Sequence, residues 1–124
     1  METIQELEVW YIIPSIRKEL TTALKEKGLK QVEIAERLGV TKAAINQYLS
    51  KKRGNEIKFN ETLKNEVRQA ASRINTRFDT IKEIQNLIEL TRKERIVCQV
   101  HKMLDKEFNK CDVCFEKQII NVGK

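Results

Sequence analysis

The stretch Gln31-Val-Glu-Ile-Ala-Glu-Arg-Leu-Gly-Val-Thr-Lys-Ala-Ala-Ile-Asn-Gln-Tyr-Leu49 decides how the rest of the chain is read. Its small and apolar positions fit two short helices, Val32 to Leu38 and Lys42 to Ser50, joined across Gly39-Val-Thr41. Ala35 has to be small where the two helices approach each other. Gly39 supplies the positive φ that ends the first helix and turns the chain, where a Cβ would be penalised. Ile34, Leu38, Ile45, Tyr48 and Leu49 then face inward, Val40 packs beneath the turn, and the Thr41 hydroxyl caps the second helix.

That arrangement leaves Lys42, Ala43, Asn46 and Gln47 projecting from the first half of the second helix, with Thr41 at its start. In a helix-turn-helix this half enters the major groove of double-stranded DNA. Asn and Gln can bond adenine in bidentate fashion, Lys can reach guanine O6 or N7, and an alanine methyl can rest on a thymine methyl. Lys30 and Gln31 before the first helix, and the run Lys51-Lys52-Arg53 beyond the second, are suited to phosphates, which fix register without reading sequence. The plainer alternative is a helical hairpin whose polar residues are only solvated.

Charge agrees with the first reading. The chain of 124 residues carries a net charge of +6, and residues 14 to 58 alone carry eleven Lys or Arg against five Glu, whereas the first thirteen residues are net negative. A basic central segment suits a polyanionic partner. No run approaches the roughly 18 apolar residues of a membrane span, and the N-terminus is acidic where a secretory leader would be basic, so a cytoplasmic location is expected. One His, no nucleophile elbow and no phosphate loop give catalysis little support, and a non-enzyme is expected.

Working outward, Thr3-Ile-Gln-Glu6 has the form of a capping box that starts a first helix. Pro14 interrupts it, predicting either two segments, Ile4 to Ile13 and Pro14 to Lys27, or one kinked helix closed by Gly28. After a loop at Arg53-Gly-Asn55, the positions Phe59, Leu63, Val67, Ala70 or Ala71, Ile74 and Phe78 draw one apolar stripe on a helix capped by Asn60. Thr80-Ile-Lys-Glu83 reads as another capping box, opening a helix with Ile81, Ile84, Leu87 and Ile88 buried and extending as far as Leu104. No strand-like alternation occurs. The expectation is an all-α chain: a helix-turn-helix domain over residues 1–58, a helical dimerisation region over 59–97 whose stripe lies outside that domain's core, and a small module over 98–124.

All three cysteines and the only histidine fall in the last module, as Cys98-x2-His101-x9-Cys111-x2-Cys114. Two pairs of soft or borderline ligands at this spacing can chelate a tetrahedral zinc ion. Three cysteines with a fourth ligand of another type can also hold an iron-sulfur cluster. Unmetallated thiols, or an oxidised pair, are the other reading, with Cys98 a small buried residue and His101 solvated on a helix. Trp10 and Tyr11, beside Ile12 and Ile13, read as core or as a partner anchor.

Over about residues 14 to 54 the chain resembles the lambda-repressor-like, or Xre-type, helix-turn-helix proteins. More narrowly, Tyr11-Ile-Ile-Pro14, Arg17, Leu20, Gly28-Leu29, Gln31, Ala35, Leu38-Gly39, Thr41, Ala43-Ala44, Gln47-Tyr-Leu-Ser50 and Lys52-Arg-Gly54 look like a set of archaeal regulators. In that set the domain precedes a thiamine-phosphate-synthase-like domain, for which this chain has no room, or a short cysteine-bearing tail. The resemblance implies a five-helix DNA-binding domain acting as a homodimer on a two-fold symmetric operator. Lys42 stands where many members have glutamine and Asn46 where they have serine, so recognised bases do not transfer. The competing function is a protein- or RNA-interaction module with a purely structural zinc site.

Overall fold

The computed structural model describes residues 3–50, 54 and 57–104, with 103 and 104 described by their backbone alone. Its regular elements are helices throughout: α1 (Ile4–Leu7), a π turn (Glu8–Ile12), α2 (Ile13–Glu26), α3 (Gln31–Leu38), α4 (Lys42–Leu49), α5 (Glu61–Ser72), α6 (Arg77–Lys93) and α7 (Ile96–Leu104). None of these helices is long and apolar enough to cross a membrane.

The expected capping box opens α1, where the Thr3 hydroxyl accepts from the Glu6 amide at 3.2 Å and Glu6 accepts from the Thr3 amide at 3.1 Å. Pro14 neither splits this region into two segments nor ends a helix. Leu7, Ile12 and Ile13 all keep right-handed helical backbone angles, and the chain runs from α1 into α2 through the π turn, where the Ile13 amide donates to the Glu8 carbonyl five residues back. A proline cannot donate, and its ring crowds the carbonyl four residues behind it. The widened turn just before Pro14 accommodates that ring, and the Ser15 hydroxyl donates to the Tyr11 carbonyl at 2.8 Å.

α2 is the central element, packing against α3, α4, α5 and α6. The core is continuous: Ile16, Leu20 and Leu24 of α2 share it with Ile34, Ile45, Leu63, Val67 and Ile74, and with Ile96, Val97 and Val100 of α7. The stripe expected to lie outside the core is therefore mostly inside it. Leu63 and Val67 are only 1% and 2% exposed, because α5 lies along α2, and charges placed there would strike the fold before any dimer.

Three further expectations differ from the structure. The stripe does not run along one helix from Phe59 to Phe78. Asn60 caps α5 as expected, its Oδ1 accepting from the Leu63 amide at 2.9 Å, but α5 stops at Ser72 and α6 starts at Arg77. The box that opens α6 is Thr76-Arg-Phe-Asp79 rather than Thr80-Ile-Lys-Glu83. Asp79 accepts from the amides of Asn75 and Thr76, each at 3.0 Å, and these bonds hold its carboxyl below the usual carboxylate range. Thr80 and Glu83 are spent elsewhere: the Thr80 hydroxyl donates to the Arg37 carbonyl, and Glu83 takes a two-pronged bond from Arg73 at 2.9 and 3.1 Å. Nor does α6 reach Leu104. Arg95 adopts a left-handed φ of 54°, and α7 folds back onto α1 and the π turn, which buries Ile96, Val97 and Val100.

A buried ion pair closes the far end of α6. Glu8, in the π turn, is almost wholly enclosed, and both of its carboxylate oxygens accept from Arg92, at 2.8 and 2.9 Å. Arg92 also reaches Glu89 at 3.1 Å.

Candidate nucleic-acid interface

α3 and α4 are eight residues each and meet across Gly39, which takes φ 68° and ψ 32° at the end of α3. The Gly39 and Val40 amides donate back to Glu36 and Ala35, satisfying the last carbonyls of α3. Thr41 then caps α4, its hydroxyl accepting from the Ala44 amide at 3.1 Å. Ile34, Ala35, Leu38, Ala44, Ile45 and Tyr48 are buried, and Val40 and Leu49 pack partly buried against them, as the spacing requires.

This packing presents one face of α4 to solvent. Residues 20–54 match the Helix-turn-helix family model. No curated protein and no solved structure matched the chain. Within the matched helix-turn-helix, Thr41, Lys42, Ala43 and Asn46 are exposed along the first turns of α4. Lys30 is exposed and Gln31 half-buried at the start of α3, and the Glu33 carboxylate approaches the Lys30 amide at 3.5 Å. Gln47 differs from its neighbours. It is half-buried and its Oε1 is closed off from solvent without a hydrogen-bond donor, so a bidentate contact to adenine would require its amide to turn outward. Lys51, Lys52 and Arg53 lie outside the described residues.

The structure adds groups that the motif spacing does not reveal. Gly54, at the end of the basic run, sits against α2 so closely that a Cβ on it would lie 2.4 Å from the Pro14 carbonyl oxygen and 2.9 Å from the Lys18 Cβ. Gly54 thus lies beside Lys18, whose neighbour Arg17 has its Nε shielded from solvent with no hydrogen-bond partner among the described residues. Arg77, on α6, lies over the helix-turn-helix turn, its Cδ 3.4 Å from where a Gly39 Cβ would stand. Arg37, at the end of α3, donates to the Ile74 carbonyl at 3.0 Å. Arg17 and Lys18 belong to the basic segment that the charge count picks out; that Lys18 meets Gly54 follows only from the chain's return to α2.

Cys98 and His101 both lie on α7, three residues apart and so on neighbouring positions of one face. Cys98 is half-buried and His101 is 5% exposed, which removes the picture of a solvated histidine. Cys111 and Cys114 lie outside the described residues.

Proposed function

We propose that this chain is a sequence-specific DNA-binding transcription regulator that reads the major groove with α4 and binds a two-fold symmetric operator as a homodimer. The observation that carries the reading is the display of Lys42, Ala43 and Asn46 on the solvent face of a capped α4, within residues that match the helix-turn-helix family. Lys42 and Asn46 supply base-edge contacts, and Ala43 lets the helix approach. Gln47 joins them at the base edges once its amide turns outward, while Lys30, Gln31, Lys51, Lys52 and Arg53 hold phosphates.

Selection of bound fragments from genomic DNA would identify the operator, expected to hold half-sites about 10 to 10.5 base pairs apart or a multiple of that. On the selected site Asn46→Ala and Lys42→Ala should each cost about 1 to 3 kcal/mol and change binding to random duplex little, whereas Arg53→Ala should weaken both. Equal losses on both DNAs for Asn46→Ala would refute its role. Affinity should fall steeply with added salt; a shallow dependence would point instead to a protein-interaction module.

The C-terminal segment is proposed to hold one metal centre, with Cys98, His101, Cys111 and Cys114 as its donors. A buried His101 one turn from Cys98 supports a chelating pair on α7, and a nitrogen donor among thiolates favours zinc over an iron-sulfur cluster. Zinc would supply folding energy to this segment. Protein purified without oxygen should be colourless with one zinc per chain, and Cys111→Ser should lose that zinc while residues 14 to 54 keep their fold. Brown protein carrying iron and sulfide would reassign the centre. Metal-free protein that Cys111→Ser leaves unchanged in stability would defeat the proposal.

A further inference from the structure

Among the described residues, two shielded side-chain polar atoms lack a hydrogen-bond partner, Arg17 Nε on α2 and Gln47 Oε1 on α4. Three other arginines that reach into the fold have acceptors built in: Arg37 donates to the Ile74 carbonyl, Arg73 to Glu83 and Arg92 to Glu8. Arg17 has none. The residues one turn away from it on α2, Ile13, Pro14, Leu20 and Thr21, carry no carboxylate, and the Thr21 hydroxyl donates to the Arg17 carbonyl at 2.7 Å. At about 100° per residue, Glu19 lies on roughly the opposite side of α2. There it and Glu26, the two carboxylates of this helix, share a cleft with Lys64 and Arg68 of α5. Pro14, one turn before Arg17, meets Gly54, and so does the adjacent Lys18. Arg17 is half-buried, so its guanidinium is enclosed at Nε and not throughout.

We propose that Arg17 binds a phosphate of the DNA backbone, donating from Nε and one terminal nitrogen to two oxygens of the same group. The proposal rests on the DNA-binding reading given above and adds a contact from α2 at a residue outside the 20–54 match to the helix-turn-helix family. An enclosed donor without an acceptor costs stability, and that cost is offset when an incoming group supplies the acceptor. A phosphate does so with a matching shape, because two of its oxygens fit the planar fork of a guanidinium and the bonds are charge-assisted. The surroundings favour an anion from outside: Lys18 stands beside Arg17, the run Lys51-Lys52-Arg53 directly precedes Gly54 in sequence, and both carboxylates of α2 line the cleft on its other side.

Binding of the full chain to the selected operator and to a random duplex of equal length, each over a range of salt, tests the contact together with thermal melting of the free protein. Arg17→Met should weaken binding about ten-fold or more on both duplexes alike. It should also make the slope of log affinity against log salt shallower by about 0.9, the loss of one phosphate. The variant should melt no lower than the parent, because the donor it removes had no acceptor in the free protein. Arg17→Lys should keep the parent's salt slope and still bind several-fold more weakly, since a lysine cannot make the fork. An Arg17→Met protein that melts lower than the parent would mean that the guanidinium supports the fold. Unchanged affinity and salt slope would mean that no phosphate is bound there, and a loss confined to the operator would mean that the side chain reads bases; each of these results overturns the proposal. A parent that binds the random duplex while Arg17→Met matches it leaves the DNA reading standing, whereas a parent that binds neither duplex removes that reading and this contact with it.

Discussion

Arg92→Ala is expected to cost about 3 kcal/mol of folding stability, the loss typical of breaking a buried ion pair from one side. The Glu8 carboxylate is enclosed and spends both oxygens on Arg92. Without the guanidinium it becomes a buried anion with no partner, and its desolvation is no longer offset. The guanidinium itself is about a third exposed, at 32%, which keeps the effect at the lower end of the range for such pairs. Replacing both partners, as in Glu8→Leu with Arg92→Met, should recover most of the loss. Urea unfolding monitored by circular dichroism would measure both variants. A midpoint for Arg92→Ala indistinguishable from the parent would mean that water reaches Glu8.

A second large effect is expected at Gly54. Its φ of 73° lies in the left-handed region, and an added Cβ would press against the Pro14 carbonyl oxygen, which is backbone and cannot swing aside. Gly54→Ala should therefore cost about 3 kcal/mol, combining left-handed strain with a backbone clash. It should also weaken binding to any duplex, because the Lys51-Lys52-Arg53 run leads directly into the residue that is displaced. Gly39→Ala is the comparison. Its φ of 68° carries similar strain, but the new Cβ meets only the flexible Arg77 side chain at 3.4 Å, so about 1 kcal/mol is expected. Thermal melting and titration with random duplex would read both variants. Equal losses at the two glycines would show that φ alone, and not the approach to Pro14, sets the cost.

The helix-turn-helix was legible because every signal in it is local. Ala35, Gly39, Thr41 and Ile45 each act within a few residues of themselves, and the structure places all four as the spacing demands. The same holds for the Thr3 and Asn60 caps. Between residues 72 and 96 that logic runs out, because two overlapping sequences there both look like helix starts. Thr76 with Asp79 and Thr80 with Glu83 satisfy one pattern equally well, and the choice is settled by Arg37 and Arg73, groups that take up Thr80 and Glu83 from outside α6. Arg37 lies 43 residues from Thr80 in sequence, beyond any local rule. Leu63, Val67, Ala70 and Ala71 do share a buried face of α5, but the rhythm gives no sign that the helix ends at Ser72, and periodicity cannot say whether α2 or a second chain covers the face.

The π turn also has a consequence for the order of apolar residues. From Ile12 onward the buried apolar positions Ile16, Leu20 and Leu24 follow at intervals of four, yet the buried apolar residue before Ile12 is Leu7, five positions earlier, with the buried Glu8 between them. In an uninterrupted α-helix, with about 100° per residue, that interval overshoots a full turn by roughly 140° and would throw Leu7 onto another side. The wider turn takes up part of the excess, so α1 and α2 run end to end but out of phase with each other. One rod thereby serves two neighbourhoods, α1 meeting α7 while α2 meets α4 and α5. A single additional residue, held where Glu8 turns inward, lets the end of the chain that bears Cys98 and His101 fasten onto the same helix that supports α4.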